Sequence, residues 1–181
     1  MKKGVSDNKR LAFCSMMAAL CGILGIAANY IRFNTAFFLL AMSLVMCIVT
    51  QRAGALYSAM TCIAAGALVM LVTGNYILAA EFVLLFGSYP VFKYVIETGI
   101  INVKVERVVK FLYYAVVAAV WITLTELFFG GAAFWGQWYA KHPMMKIVCF
   151  VAMIILEAVY DVVLTYLIFI FNKRFNGRMF R

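Results

Sequence analysis

The stretch KRLAFCSMMAALCGILGIAANYIRFNTAFFLLAMSLVMCIVTQRAGALYSAMTCIAAGALVMLVTGN, residues 9–75, contains three apolar runs, ended by the short polar breaks NYIRFN, QR and GN. Runs of this kind are long enough, or nearly so, to cross the hydrocarbon core of a bilayer as helices. Because backbone groups in lipid must be hydrogen-bonded internally, the expected fold is an all-α integral membrane bundle. The rest of the chain repeats the pattern, which predicts six helices at residues 11–31, 35–50, 53–73, 76–96, 108–129 and 144–171.

Basic residues alternate with these runs and predict an orientation. The chain has 16 lysines and arginines, and if the N-terminus is cytoplasmic, only Arg32, Lys141 and Lys146 fall outside. Positive residues resist translocation across the membrane. The sequence therefore predicts a multi-pass protein of the bacterial cytoplasmic membrane with the N-terminus and the C-terminus both cytoplasmic.

Composition narrows the class of protein further. The chain is 67% hydrophobic with a mean hydropathy of +1.00, which excludes a soluble monomer. At 181 residues it has room for a single transmembrane domain, residues 1–181, and no separate soluble domain. The net charge of +9 fits cytoplasmic loops and contact with the lipid bilayer, so no nucleic-acid partner is expected.

Four carboxylates lie inside the apolar runs, where charge is costly and usually faces a bundle interior or a wet cavity. Glu81 and Glu126 are expected in the outer third of spans four and five, and Glu157 and Asp161 lie one helical turn apart in span six. Few cations lie within the spans to neutralise them. The functional interpretation is an outward-facing polar pocket formed by spans four to six. The alternative is a network of protonated or hydrogen-bonded groups that holds helices together.

Aromatic residues are concentrated near the last outer loop and extend the candidate substrate site. They are Trp121, Trp135, Trp138 and Tyr139, with His142 beside them. Their faces can stack on a ring or hold a cation, or they can form an interfacial belt. Asn29, in the polar turn after span one, is added to the candidate site.

Span one carries small side chains at three- and four-residue spacing, namely Ser15, Ala18, Ala19, Gly22 and Gly25. Such a groove lets a second helix approach closely, either from a partner protein or from the same chain. Other chemistry has little support in the sequence. The five cysteines show no CxxC spacing, there is one histidine, and no nucleophile-and-base motif occurs. We therefore predict no metal, no cofactor and no enzymatic activity.

The basic start, the first span KRLAFCSMMAALCGI, the six spans and the cytoplasmic tail together resemble the substrate-binding S components of energy-coupling factor transporters. The resemblance implies that Ser15, Ala18, Ala19 and Gly22 dock onto a transmembrane coupling protein, although SerxxxAla and AlaxxxGly replace the family's AlaxxxAla. It also implies partner ATPase subunits, and a vitamin, a vitamin precursor or a metal ion as substrate. A histidine-bearing N-terminus, which marks the metal-specific members, is not present.

The expected function is therefore capture of a small water-soluble micronutrient, with Glu81 and Glu126 setting the polarity of the site. Two alternatives stay open at this point. One is a non-transport scaffold of cell-envelope assembly, like the MreD-type shape proteins. The other is an intramembrane enzyme that uses Glu157 and Asp161.

Overall fold

The computed structural model of the protein describes residues 7–31, 34–99, 102–129 and 143–175, and these ranges contain helices and no strand. The side chains of residues 103, 129, 143 and 171–175 are not described. The elements are α1 (Asp7–Tyr30), α2 (Thr35–Ala53), α3 (Ala55–Thr73), α4 (Tyr76–Glu81), a π-helical segment (Phe82–Gly87), α5 (Ser88–Gly99), α6 (Val103–Phe129) and α7 (Pro143–Phe175).

Six helical stretches are long and apolar enough to cross a membrane, and α4, the π-helical segment and α5 count together as one of them. They are Asp7–Tyr30, Thr35–Ala53, Ala55–Thr73, Tyr76–Gly99, Lys104–Phe128 and Met144–Ile170. The predicted all-helical architecture with six potential spans is thus confirmed. Large apolar side chains also remain exposed along these helices, as expected for a surface that faces lipid.

The helices group into two compact units, Met1–Ile101 and Asn102–Arg181. In the first unit α1 packs against α2 and α3, and α2 also packs against the π-helical segment and α5. The core of this unit is made of side chains such as Met42, Met46, Val69 and Phe82, each fully buried. Small residues let the helices approach closely, since a Cβ atom added to Gly25 would lie 2.5 Å from the Val69 side chain.

Single glycines make the two short turns of the first unit. Gly54, with a φ of 93°, is the one residue between α2 and α3, so the turn predicted at Gln51 and Arg52 lies two residues later. Gly74 adopts the left-handed conformation after α3, with a φ of 66°. Asn75 then caps α4 by accepting a hydrogen bond from the backbone N–H of Leu78 at 3.1 Å. The turn predicted at Gly74 and Asn75 is confirmed.

The fourth span continues as a helix through Pro90, and its irregular part is the π-helical segment before this proline. The proline ring has no N–H to donate and crowds the carbonyl four residues earlier, which is that of Phe86. The π-helical segment Phe82–Gly87 ends just before this position, and its wider turn relieves the crowding. Gly87 is required there by close packing, because an added Cβ atom would lie 2.5 Å from the Cys62 sulfur.

The second unit is an antiparallel pair of long helices, α6 and α7, held in register by two ion pairs. Lys110 Nζ lies 3.8 Å from Asp161 Oδ2, and Lys146 Nζ lies 2.7 Å from Glu126 Oε1. From the first pair to the second, the residue number rises by 16 along α6 and falls by 15 along α7. The nearly equal steps fix the register along the helices and place Tyr114 of α6 level with Glu157 of α7.

Candidate functional site

Glu157 is the most unusual side chain of the second unit. It is only 8% exposed, and neither of its carboxylate oxygens has a hydrogen-bond partner within the described ranges. A buried polar group without a partner is costly, and a carboxylate is more costly than a neutral group. Such a carboxylate is either protonated or free to accept hydrogen bonds from a donor that does not belong to the described residues.

Asp161, one turn from Glu157, has a cation beside it. Lys110 lies 3.8 Å from Asp161 and 2.6 Å from Glu106 Oε1, so it bridges two acids of the second unit. Our expectation that few cations lie near the intramembrane acids is therefore wrong for Asp161. Lys110 had been counted only among the cytoplasmic charges, yet it is buried within α6. Its spacing of four residues from Glu106 was the one sequence signal that could have identified the pair.

Glu126 is also paired, with Lys146 at the other end of the two helices. Both side chains are partly exposed, at 38% for Glu126 and 50% for Lys146. Lys146 had been counted only as a charge of the outer loop. The pair reduces the ability of Glu126 to hold a cationic ligand, and gives this carboxylate a role in fastening α6 to α7.

Glu81 belongs to the first unit, where it is the last residue of α4 before the π-helical segment. Its side chain is half-buried, and no hydrogen bond or ion pair to it occurs among the described residues. Short π-helical segments are frequent at functional sites. The predicted pocket of spans four to six would need residues of both units, and it stays a prediction.

Asn29 has a structural partner in the first unit. Its side-chain oxygen accepts a hydrogen bond of 3.0 Å from the Asn75 amide, and Asn75 in turn caps α4. This bond links the last turn of α1 to the start of the fourth span. Asn29 therefore has a structural role at this turn.

The aromatic residues of the candidate site are described only in part. Trp121 lies within α6 and is 2% exposed, so its ring is not available at the surface. Trp135, Trp138, Tyr139 and His142 lie outside the described residues.

The small residues of α1 divide into two sets. Ala18 and Gly22 are buried, and Gly22 lies beside Leu68 of α3, so they support packing within the chain. Ser15 and Ala19 are exposed on the surface of α1. A partner helix could therefore reach only half of the predicted docking set.

Lys93 is a buried cation that the sequence interpretation had placed among the cytoplasmic charges. It is 3% exposed within α5, pairs with Glu97 at 3.2 Å, and has its Nζ atom 6.0 Å from the centre of the Tyr89 ring. Both contacts lie one turn away on the same helix, which keeps its charge compensated.

The described side chains thus leave Glu157 as the buried group best suited to bind something from outside the protein. Within the described ranges no group of three histidine, cysteine or acidic residues is arranged to hold a metal ion. An isolated carboxylate of this kind can accept hydrogen bonds from an N–H-bearing or positively charged solute. No protein-family model, curated protein or solved structure matches this chain.

Proposed function

We propose that this protein is a membrane subunit that captures a small water-soluble micronutrient, a vitamin or vitamin precursor, for uptake powered by partner ATPases. It would lie in the bacterial cytoplasmic membrane with both termini inside. The distribution of lysine and arginine along the chain supports this orientation. The resemblance to S components of energy-coupling factor transporters supports the proposal that this chain captures the solute while partner subunits hydrolyse ATP.

The observation that carries this proposal is the carboxylate of Glu157, which is buried and has no hydrogen-bond partner among the described residues. Retaining a carboxylate within a membrane span without a partner lowers stability, so a functional reason for it is favoured. A ligand that donates hydrogen bonds to both oxygens would remove this cost at the moment of binding. The ligand would then gain binding free energy from a carboxylate that has no hydrogen-bond partner among the described residues.

The neighbouring ion pairs indicate which solutes would fit. Asp161 pairs with Lys110, and Glu126 pairs with Lys146. Glu157 is therefore the intramembrane acid of this unit whose charge no described lysine compensates. A solute with an amino, amidine or aminopyrimidine-like group would match one unpaired carboxylate. An anionic solute without such donors would not.

Energy coupling would come from partners, since the sequence has no phosphate-binding loop. A transmembrane coupling protein would dock on the exposed side of α1, where Ser15 and Ala19 allow close approach. Ala18 and Gly22, which are buried, would support this docking only by holding α1 in place.

The decisive experiment is ligand retention measured by native mass spectrometry on gently extracted protein, incubated with a mixture of water-soluble vitamins and their precursors. We expect the wild-type protein to retain one solute and Glu157→Gln to bind it at least about tenfold more weakly, because one charge-assisted hydrogen bond is lost. Glu126→Gln, which removes a paired acid, is the matched control and should retain the solute.

Two results would contradict the proposal. Failure of the wild-type protein to retain any compound of the mixture would exclude capture of this class of solute. Equal affinity of the wild-type protein and Glu157→Gln would exclude Glu157 as the binding carboxylate. Thermal unfolding of both variants checks that they fold, and Glu157→Gln should be at least as stable as the wild type.

A scaffold of envelope assembly is the second candidate function, and the two ion pairs between α6 and α7 favour it. In that case the acids hold helices together and bind no solute. Proteins that co-purify with the chain separate the two functions: ATPase subunits support uptake, whereas envelope-synthesis proteins support a scaffold.

A further inference from the structure

A groove of about 170 Å³ opens between α1 and α3 in the first unit. Its floor includes Cys14 and Ala18, which are buried, whereas Leu11 and Met60 are largely exposed at its sides. Ser15, Tyr57, Thr61 and Ala64 complete the lining. The groove is therefore open at the surface of the first unit, and its shape comes from small residues on both helices.

The hydroxyl groups in this groove are already used by the protein. Ser15 Oγ donates to the Ala12 carbonyl at 3.0 Å, and Thr61 Oγ1 donates to the Tyr57 carbonyl at 2.7 Å. Tyr57 directs its own hydroxyl to Asp7 Oδ1 at 3.3 Å, at the start of α1. What remains on the groove wall is apolar, which suits a hydrocarbon chain better than a water-soluble ligand.

Arg10 directly precedes Leu11, the first residue of α1 that lines the groove. It is one helical turn before Cys14, and its Nε atom is buried and unsatisfied within the described part of the chain. No ion pair or hydrogen bond to Arg10 occurs among those residues. A guanidinium in the first turn of a membrane span lies at headgroup depth, where a phosphate is the natural acceptor for its five donors.

We propose that the groove between α1 and α3 is a specific site for an anionic phospholipid. Its acyl chain lies along Cys14, Ala18 and Ala64, and its phosphate accepts hydrogen bonds from Arg10. This site is separate from Glu157, so it does not depend on the proposed solute-capture function.

Size and charge both fit this ligand. A cavity of about 150 Å³ holds a benzene ring, so the groove has room for about six carbons of a chain, with the rest lying in the bilayer. Lys9 and Arg52 add positive charge near the same end of the unit, and Arg52 lies over the Phe13 ring at 5.4 Å. Basic clusters at this depth favour anionic over zwitterionic headgroups.

The groove also includes Ser15 and Ala18, which belong to the predicted docking set for a partner helix. A lipid in the groove would cover part of this surface and would have to leave before a helix could pack there. We favour the lipid, because Arg10, next to the groove lining along α1, has no partner among the described residues, whereas a helix interface of small residues needs no cation.

The test uses the full chain in nanodiscs made of equal amounts of phosphatidylcholine and phosphatidylglycerol, with retained lipids counted by native mass spectrometry. We expect the wild type to retain phosphatidylglycerol about fivefold over phosphatidylcholine, the factor that one basic residue near an anionic surface supplies. Arg10→Gln should lose this preference. Ala64→Phe should fill the groove and retain less of either lipid.

Matched controls are Lys104→Gln, an exposed cation of α6 in the second unit, and Ala67→Phe, an exposed alanine of α3 that does not line the groove. Both should behave as the wild type. Equal retention of the two lipids by the wild type, or an unchanged preference in Arg10→Gln, would overturn the headgroup assignment. Unchanged retention in Ala64→Phe, or a retained polypeptide in place of lipid, would overturn the acyl-chain assignment.

Discussion

Gly66 of α3 shows at the scale of one residue how closely the fourth span packs. A Cβ atom added at this position would overlap the side chain of Val83 in the π-helical segment. Small residues at such contacts let helices in a membrane gain van der Waals contact. The contact joins α3 to the irregular part of the fourth span, next to Glu81.

Gly66→Ala should therefore destabilise the protein by about 1–3 kcal/mol, because the core is overpacked there. Val83→Ala should relieve the overlap, so the double variant should recover most of the lost stability. Thermal or detergent-induced unfolding of the purified protein measures the effect.

Gly99→Ala is the matched control, because an added Cβ atom there has open space. It should leave stability unchanged or raise it slightly, since alanine favours helix. If Gly66→Ala behaved like Gly99→Ala, or if Val83→Ala gave no recovery, the close contact between α3 and the π-helical segment would be wrong.

At the scale of elements, α6 and α7 form a hairpin whose register follows from the two ion pairs. Val117 lies seven residues after Lys110, and Ile154 lies seven residues before Asp161. Seven residues are two helical turns, so both residues share a face with the paired charges. Each is half-buried, as expected for a position near the contact between the helices.

We expect Val117→Cys and Ile154→Cys, combined with Cys149→Ser, to form a disulfide on mild oxidation, because side chains at the same level of facing helices come within bridging distance. Loss of free thiols and a mobility shift on gel electrophoresis detect it. The control pair, Val116→Cys and Ile155→Cys, has the same register but is 53% and 58% exposed. Cross-linking of the control pair in preference to the test pair would contradict the register.

At the scale of the whole molecule, the six potential spans and the uneven distribution of basic residues bear on orientation. An even number of spans brings both termini to one side of the membrane. The positive-inside rule supports the proposal that this side is the cytoplasm, because in that orientation it would carry all but three of the lysines and arginines.

The proposed orientation predicts how single cysteines react with a maleimide that does not cross membranes. Lys141→Cys should be labelled in intact cells, whereas Arg178→Cys should be labelled only after permeabilisation. The native cysteines, four of which are buried, serve as the background measured in the unsubstituted protein. The opposite pattern of labelling would contradict the proposed orientation.

The amino-acid sequence by itself determined the number of spans and the helical class, because a long apolar run in lipid has no other way to satisfy its backbone. It also located the turn at Gly74 and Asn75, since a left-handed residue followed by a capping side chain is a local signal. The helix bounds differ from the predicted ones by a few residues, as at Gly54, because a helix continues until a residue such as a glycine with positive φ ends it.

Only the tertiary structure decided which acids have partners. Glu81, Glu126, Glu157 and Asp161 look alike in sequence, since each is one carboxylate in an apolar run. Pairing of Asp161 with Lys110 and of Glu126 with Lys146 depends on the register of α6 against α7, which no local pattern encodes. The burial of Glu157 without a partner among the described residues, and the groove between α1 and α3, are likewise properties of packed helices, because they depend on residues far apart in the chain.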